Sequence, residues 1–317
     1  MTRRYVIISP CRNEEKFLEK TLNSVIAQSE QPSLWVIVDD GSTDSTPNLL
    51  NKYADQYDFI KIVQREDRGV RSVGPGVIEA FYEGLSTVDL DSFDYLCKLD
   101  LDLILPPNYF SILMDKMEKS PRIGSCSGKP YYTDKTTGEL ISEKCGDEAA
   151  IGASKFYRVS CFKDIGGFIR QVMWDGIDAH TCRMKGWIAC SWDEPDLHFI
   201  HLRPMGSSHK GILTGRARHG FGQYFMGTGL TYLLASAVYR LFSRPYVLGA
   251  AAMLWGYFSS AIHRQPRLKD KKLRVFINHY QWSCLLNGKA KATQRLNKTQ
   301  ELIWNDRYNQ NSKDSMK

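Results

Sequence analysis

Two acidic side chains, Asp100 and Asp102, lie one residue apart at the end of an apolar stretch of the sequence. Alternate residues of an extended chain project to the same side, so we expect the two carboxylates to converge. A hard divalent cation binds one or two protein carboxylates and completes its shell with water and substrate phosphates. The pair therefore predicts a clamp for a metal ion and a nucleoside diphosphate. The same spacing is also found in solvated acidic turns, and these residues alone leave that alternative open.

The segments around these acids indicate how they are held. The apolar stretch that enters through Phe93 predicts a buried strand ending at Asp100. Further strands are predicted at residues 5–9, 34–38 and 59–63, and helices at residues 17–26 and 77–85. Strands that alternate with helices imply a parallel sheet, and ligands of such sheets bind beyond the carboxyl ends of the strands. Pro10, Arg12 and Asp40 fall at the same predicted edge as the acid pair.

Composition places the chain among folded globular proteins. It has 317 residues, of which 43% are hydrophobic and 24% are charged, enough for one large α/β domain with an appendage. The net charge of +7 comes from 42 basic and 35 acidic residues. An excess of this size suits phosphate-bearing substrates, anionic lipid or nucleic acid.

The loops after the predicted strands disfavour two broad classes of protein. The glycine-rich loops of nicotinamide-dependent enzymes and of P-loop ATPases are missing there. The eight cysteines show no C-x-x-C pair and no zinc spacing, and no secretory signal precedes them, which predicts reduced thiols in the cytosol.

Three motifs in order resemble the signature of the family 2 glycosyltransferases. They are SPCRNEE at residues 9–15, VDDGSTD at residues 38–44 and KLDLD at residues 98–102. The resemblance covers about the first two thirds of the chain and is closest to the bacterial membrane-associated type. It implies an α/β protein with the GT-A (Rossmann-like) fold, a mixed and mostly parallel sheet flanked by helices, here followed by a helical C-terminal extension.

The resemblance also implies a donor site. Its nucleotide-sugar-binding positions correspond to Pro10, Arg12, Glu14, Asp40, Arg71 and Asp100. In the family, Asp40 would contact the uracil ring, Asp100 would lie near the ribose or the metal, and Asp102 would coordinate Mg²⁺ or Mn²⁺ bridging the diphosphate. Arg71 matches a donor-side basic position, with a surface arginine as the alternative.

The acceptor side departs from the family pattern. Relatives carry Glu-Asp-x-Asp where this chain has the sequence from Asp175 to Asp178, and Gly176 stands at the position of the internal base. We expect Asp175 to act as the general base, with Asp178 as the alternate, although both acids could instead cap a helix. Trp174 either stacks on a sugar or belongs to the core.

Secondary candidates lie in a strand-like segment and in the loop after it. A basic residue in this loop often meets the diphosphate in relatives, which makes His201 and Arg203 candidates. The glycine- and serine-rich residues 205–215 are expected to order on donor binding. Lys98 is expected to point away from the acid pair.

The expected domains are a catalytic domain at residues 1–215 and an extension at residues 216–317. The catalytic domain would comprise a nucleotide-sugar half at about residues 1–105 and an acceptor half at about residues 106–215. Two apolar runs, residues 230–242 and 246–262, are too short and too interrupted to span a bilayer, and a basic cluster comes after them. We expect residues 228–274 to lie on a membrane surface; packing on the catalytic domain or on another subunit is the alternative.

These expectations combine into one function. The sequence predicts a metal-dependent, inverting glycosyltransferase of polysaccharide biosynthesis. It would transfer a sugar from a nucleotide sugar, a UDP-sugar, to a lipid-linked or glycan acceptor. It would act peripherally or monotopically at the cytoplasmic face of the inner membrane, as a single chain or as an oligomer. The alternatives are a sugar nucleotidyltransferase and a non-catalytic sugar-binding or scaffold protein. Nucleic acid is not an expected partner, because the basic residues accompany an apolar tail.

Overall fold

A computed structural model of the chain describes residues 3–67, 69, 74–134, 136–203, 211–242 and 245–314. The fold consists of two compact units. The first comprises residues 1–171 and 188–204, and the second comprises residues 172–187 and 205–317. The boundary expected at residue 215 would have left residues 172–187 with the catalytic part, whereas they group with the C-terminal helices.

The first unit holds the described strands and five of the described helices. The strands are β1 (Tyr5–Cys11), β2 (Leu34–Asp39), β3 (Ile60–Gln64), β4 (Tyr95–Leu99), β5 (Leu103–Ile104), β6 (Ile123–Ser127), β7 (Lys129–Thr133), β8 (Leu140–Ser142), β9 (Ser154–Arg158), β10 (Ile188–Ser191) and β11 (His198–His201). The helices are α1 (Leu18–Ile26), α2 (Thr46–Ala54), α3 (Pro75–Ser86), α4 (Tyr109–Lys119) and α5 (Val159–Asp164).

Seven strands form the main sheet in the order β10-β6-β9-β4-β1-β2-β3. Of these seven described strands, β9 alone runs antiparallel to its neighbours, so the predicted mixed, mostly parallel sheet is confirmed. A second sheet has the order β5-β11-β7-β8. In the main sheet Cys11 is paired with Asp39, so β1 and β2 end at the same level. The residues that follow the two strands therefore lie at the same edge of the sheet, where its parallel strands have their carboxyl ends.

The core explains why these segments form their elements. The strands β1 and β2 are apolar on both faces, as expected for parallel strands covered by helices on both sides. Helix α1 buries Leu18, Leu22 and Val25, which share one helical face. Trp35 is fully buried, and its indole N–H donates to Ser9 Oγ at 2.9 Å, so the ring brings no unpaired donor into the core.

The second unit is helical, as predicted for the extension. Its helices are α6 (Trp174–Met184), α7 (Ile212–Met226), α8 (Leu230–Arg240), α9 (Tyr246–Ile262), α10 (Lys271–Asn287) and α11 (Lys289–Asp314). A small core of Tyr224, Leu233, Met253 and Tyr257 joins α7, α8 and α9. Among the described helices, none is both long enough and apolar enough to cross a bilayer.

Candidate active site

The loops after β1 and β2 are tied together by side chains. Asn13 has a left-handed backbone (φ 55°), which asparagine tolerates better than most residues. Its N–H donates to Ser42 Oγ at 2.9 Å, and its side-chain oxygen accepts from the N–H of Thr43 at 2.8 Å. These bonds fix the turn that carries Arg12 and Glu14 beside the loop that carries Asp40.

Arg12 and Asp40 lie together, as their motifs predict. A guanidinium nitrogen of Arg12 donates to the backbone oxygen of Asp40, and another donates to Asp67 Oδ1 at 2.6 Å. The buried Asp40 carboxylate accepts from Arg65 at 2.7 Å. Hydrogen bonds from Arg12 and from the N–H of Gly69 lower the pKa of Asp67. The result is a hydrogen-bonded rim of acidic and basic side chains at the ends of β1, β2 and β3.

Arg65 and Asp67 were not among the predicted site residues. The signal that would have found them is the sheet edge itself, because both come after β3 just as Arg12 comes after β1.

Arg203 links two of the predicted acids. Its Nε donates to Asp102 Oδ2 at 2.9 Å, and its Nη2 lies 2.8 Å from each carboxylate oxygen of Glu14. The guanidinium also lies over the ring of Phe17 at 5.3 Å. Burial lowers the pKa of Arg203, but the charges of Asp102 and Glu14 outweigh it and the pKa is raised overall. Arg203 thus holds the Glu14 and Asp102 carboxylates close to each other.

Asp100 is held by Lys98, contrary to expectation. The buried Lys98 ammonium forms an ion pair with the Asp100 carboxylate and donates to the backbone oxygen of Gly152 at 3.0 Å. The expectation that Lys98 points away is wrong, since positions 98 and 100 have the same parity and alternate residues share a face. Lys98 therefore balances the charge of Asp100, whereas Asp102 shares its guanidinium with Glu14.

His201 pairs with a buried glutamate. Its Nδ1 is 2.5 Å from Glu143 Oε2, and both side chains are buried. Burial lowers the pKa of His201, but the hydrogen bond and charge of Glu143, with smaller contributions from Asp102 and Asp100, raise it overall. The N–H of Leu202, the residue after β11, donates to the backbone oxygen of Asp102 at 2.8 Å and so helps to position Asp102.

The side chains available as ligands fit a metal ion that is held mainly by substrate phosphates. Within the described parts of the chain, no three His, Cys, Asp or Glu side chains converge as a metal site. Asp102 can supply one carboxylate, which is what Mg²⁺ or Mn²⁺ takes from a protein when substrate phosphates and water complete the shell.

The candidate bases belong to the second unit. Asp175 lies in the first turn of α6, and the buried Asp178 lies three residues later on the same side of the helix. Trp174 is buried with an exposed fraction of 8%. A Cβ at Gly176 would meet only Met173 Cε, at 3.9 Å, so the backbone at this position does not require glycine. Arg71 and residues 204–210 lie outside the described residues.

Comparison with known proteins finds relatives for about the first half of the chain. Residues 6–160 match the family model described as glycosyl transferase family 2. Poly-beta-1,6-N-acetyl-D-glucosamine synthase of Staphylococcus aureus (strain COL) is 28% identical over 128 residues, which are 40% of this chain and 28% of that protein. The chain thus spans less than a third of the length of the curated relatives it matches.

Two solved structures resemble the chain in fold. S. aureus TarS 1-349 in complex with UDP-GlcNAc has a TM-score of 0.50 at 15% identity, covering 97% of this chain and 92% of that chain. GalNAc-T7 with UDP, GalNAc and Mn²⁺ has a TM-score of 0.58 at 14% identity, covering 90% and 57%. The predicted GT-A fold is confirmed.

Proposed function

We propose that the chain is a glycosyltransferase of family 2, whose model residues 6–160 match, and that it transfers a sugar from a UDP-sugar to a lipid-linked or polysaccharide acceptor. Two contacts within one unit support the proposal: Arg12 meets Asp40, and Arg203 meets Glu14 and Asp102, all in loops that follow strand ends. N-acetylglucosamine is the first donor sugar to test, because the matched synthase is named for its polymer.

The nucleoside would bind at Arg12 and Asp40, and the diphosphate at Asp102 and Arg203. A divalent ion bound at Asp102 would neutralise the charge that develops on the leaving diphosphate. Arg203 directs Nη2 at both oxygens of the Glu14 carboxylate, and a guanidinium forms charge-assisted hydrogen bonds with phosphate as it does with carboxylate. We also propose that Asp100, His201 and Trp174 take part in the site, as predicted from the sequence.

Transfer with inversion requires a base on the acceptor side. The acceptor hydroxyl attacks the anomeric carbon as the bond to the diphosphate breaks, and a carboxylate takes the hydroxyl proton. We assign this proton transfer to Asp175, with Asp178 as the alternate.

The chain would work at the cytoplasmic face of the inner membrane, as a peripheral or monotopic protein. Support comes from large apolar side chains exposed on α8 and α9, among them Tyr239, Val247 and Trp255. A run of basic residues comes after them at positions 264–274, as expected beside anionic headgroups.

The test is turnover with a panel of UDP-sugars in Mn²⁺ and in EDTA, with UDP release and product formation both measured. We expect transfer that chelation abolishes and that Asp102→Asn lowers about 100-fold or more, given the size of single electrostatic contributions to catalysis. The control is Asp115→Asn, which removes an acid on the surface of α4. Pyrophosphate release would instead identify a nucleotidyltransferase, and donor binding without turnover would identify a sugar-binding protein.

A further inference from the structure

The net charge of the chain is the difference between two units of opposite charge. With Lys and Arg counted against Asp and Glu, the first unit contains 22 basic and 29 acidic residues, a net charge of −7. The second unit contains 20 basic and 6 acidic residues, a net charge of +14. Between residues 197 and 300 the sequence has one acid, Asp270. Such a difference between two parts of one chain indicates that the basic part meets an anionic surface or polymer.

Helix α10 of the second unit has apolar side chains on two opposite sides. Leu273, Ile277 and Tyr280 are buried on one side. On the other side, exposed residues follow one another at helical spacing. They are Val275, His279, Trp282 and Leu286, which we name the α10 stripe. Its three apolar members have exposed fractions of 55%, 48% and 78%. A helix that is apolar on both sides needs a second apolar environment besides the protein core.

The charges on this side of α10 are basic. Lys271 and Lys272 are exposed and precede Val275 by four and three residues, so they lie on the same side of the helix. Helix α10 itself contains no Asp or Glu. The acid just before it, Asp270, caps the helix, since its Oδ1 accepts from the N–H of Leu273 at 3.0 Å. The stripe therefore combines an apolar surface with positive charge at its start.

This combination favours an anionic bilayer over other partners. A second copy that used the same face would bring an equal positive charge against it. A nucleic acid or another polyanion would be attracted by the lysines but would gain nothing from Trp282 and Leu286. A bilayer surface accommodates both kinds of side chain, because acyl chains cover the apolar ones and anionic headgroups attract the basic ones. Tryptophan is also enriched at the boundary between headgroups and acyl chains.

We propose that the α10 stripe lies on the surface of an anionic phospholipid bilayer, with Trp282 and Leu286 at the acyl chains and Lys271 and Lys272 at the headgroups. The inference rests on the membrane contact proposed above, which concerns α8, α9 and residues 264–274. It extends that contact to a third helix and assigns the lipid charge. It does not depend on sugar transfer.

The test uses the full-length protein and sedimentation with vesicles of phosphatidylcholine, alone or with phosphatidylglycerol. We expect at least about tenfold tighter binding to the vesicles with phosphatidylglycerol, because each basic residue near an anionic surface adds to the attraction. The double variant Trp282→Ser and Leu286→Ser should bind these vesicles at least about tenfold more weakly, and Leu286→Ser alone about threefold. Unchanged binding in the double variant, or equal binding of the unsubstituted chain to the two kinds of vesicle, would overturn the proposal.

The matched control is Leu302→Ser, a change in α11 of the same unit. Leu302 has an exposed fraction of 69%, close to that of Leu286. It follows Glu301 directly, and Asp306 comes one turn later on the same side. Because an anionic bilayer repels these acids, we expect Leu302→Ser to bind vesicles like the unsubstituted chain. A loss as large as that of Leu286→Ser would show that binding does not distinguish the two helices and would contradict the assignment to α10.

A second measurement locates Trp282 without relying on affinity. Vesicles with brominated acyl chains quench the fluorescence of tryptophans that reach those chains. Part of this quenching should be lost in Trp282→Phe, a variant that keeps an aromatic ring and the apolar character of the position. Equal quenching in the two proteins would place Trp282 outside the bilayer and overturn the proposal.

The other occupants and the enzymatic proposal are separated by further measurements. Heparin, which has charge but no hydrocarbon chain, should bind the double variant and the unsubstituted chain equally; a loss as large as that on vesicles would assign the stripe to a polyanion. An oligomer that the double variant dissociates in sedimentation velocity without lipid would assign the stripe to a second copy. Either result would overturn the lipid assignment. Vesicle binding requires neither donor nor turnover, so a protein that binds lipid through α10 but transfers no sugar would refute the proposed activity alone.

Discussion

At the scale of single residues, the site depends on a guanidinium shared by two acids. Arg203 is the cation that both Glu14 and Asp102 contact, and the two carboxylate side chains have exposed fractions of only 6% and 11%. Removing one partner of such a group leaves the other charges buried and uncompensated, which costs more than the intact pair contributes.

Replacing Arg203 should therefore destabilise the fold even without ligand. We expect Arg203→Met to lower the free energy of unfolding by about 2–4 kcal/mol, measured by urea denaturation. The matched control is Lys163→Met, whose ion pair with Asp91 is exposed and should contribute under about 1 kcal/mol. Similar losses in the two variants would show that Arg203 is not the counter-ion of these acids.

The His201–Glu143 pair should make stability depend on pH. Because the pKa of His201 is raised in the folded protein, its stabilisation is complete below the ordinary value of about 6.5 and is lost as the pH rises through the folded pKa. We expect Glu143→Gln to flatten the fall in melting temperature on the alkaline side of that value. Glu139→Gln, an exposed acid four residues earlier, should leave the fall unchanged.

The motifs predicted which residues meet, but only part of how they meet. Arg12, Asp40 and Asp102 come after strand ends, where sequence order and sheet geometry bring them together. The bond from Arg203 to Glu14 joins positions 189 residues apart, and no local pattern encodes it. Arg71 was predicted as a donor-side residue and lies outside the described part of the chain, so it stays a prediction.

At the scale of elements, two glycines set the distance between α7 and α9. A Cβ at Gly220 would lie 1.9 Å from the backbone oxygen of Met253, and one at Gly256 would lie 2.0 Å from that of Ala217. Since the atoms that would clash are backbone atoms, no side-chain rotation can relieve them.

Either substitution should therefore weaken the second unit. We expect Gly220→Ala to cost about 3 kcal/mol, as overpacking of a close contact does, in thermal or urea unfolding. Gly176→Ala on α6 is the control, because its nearest neighbour is 3.9 Å away and alanine favours a helix by up to about 1 kcal/mol. If Gly220→Ala leaves the free energy of unfolding unchanged, α7 and α9 are further apart than described.

The elements themselves were predictable where they were long and periodic. Strands β1 to β4 and helices α1 and α3 can be predicted from apolar runs and helical spacing in the first hundred residues. The pairings of β9 with β4 and of β11 with β5 and β7 cannot, because these short strands pair across long sequence separations. Pairing of this kind is decided by tertiary contacts, which the alternation of side chains along a strand of two to five residues cannot specify.

At the scale of the whole molecule, truncation is a poor test of membrane binding. Helix α6 packs against α10 and α11: Arg183 lies over the ring of Tyr280, and Trp187 contacts Trp304 edge to face. A chain ending near residue 215 would expose these surfaces and change its solubility for reasons unrelated to lipid.

Substitutions on the intact chain avoid this problem. Tyr239 and Phe242 are the most exposed of the large apolar side chains on and just after α8, and they are not part of the second unit's core. Burying each in a bilayer surface should contribute about 1.5–3 kcal/mol. We expect the double variant Tyr239→Ser and Phe242→Ser to bind phosphatidylcholine–phosphatidylglycerol vesicles at least tenfold more weakly. The difference should persist at high salt, where charge attraction is screened.

Leu140→Ser, which removes a half-exposed apolar side chain from the first unit, should bind like the unsubstituted chain. Transfer to a water-soluble acceptor should be the same in all three proteins, because neither surface belongs to the proposed donor site. If the double variant binds vesicles unchanged, the apolar face of α8 contacts protein and not lipid.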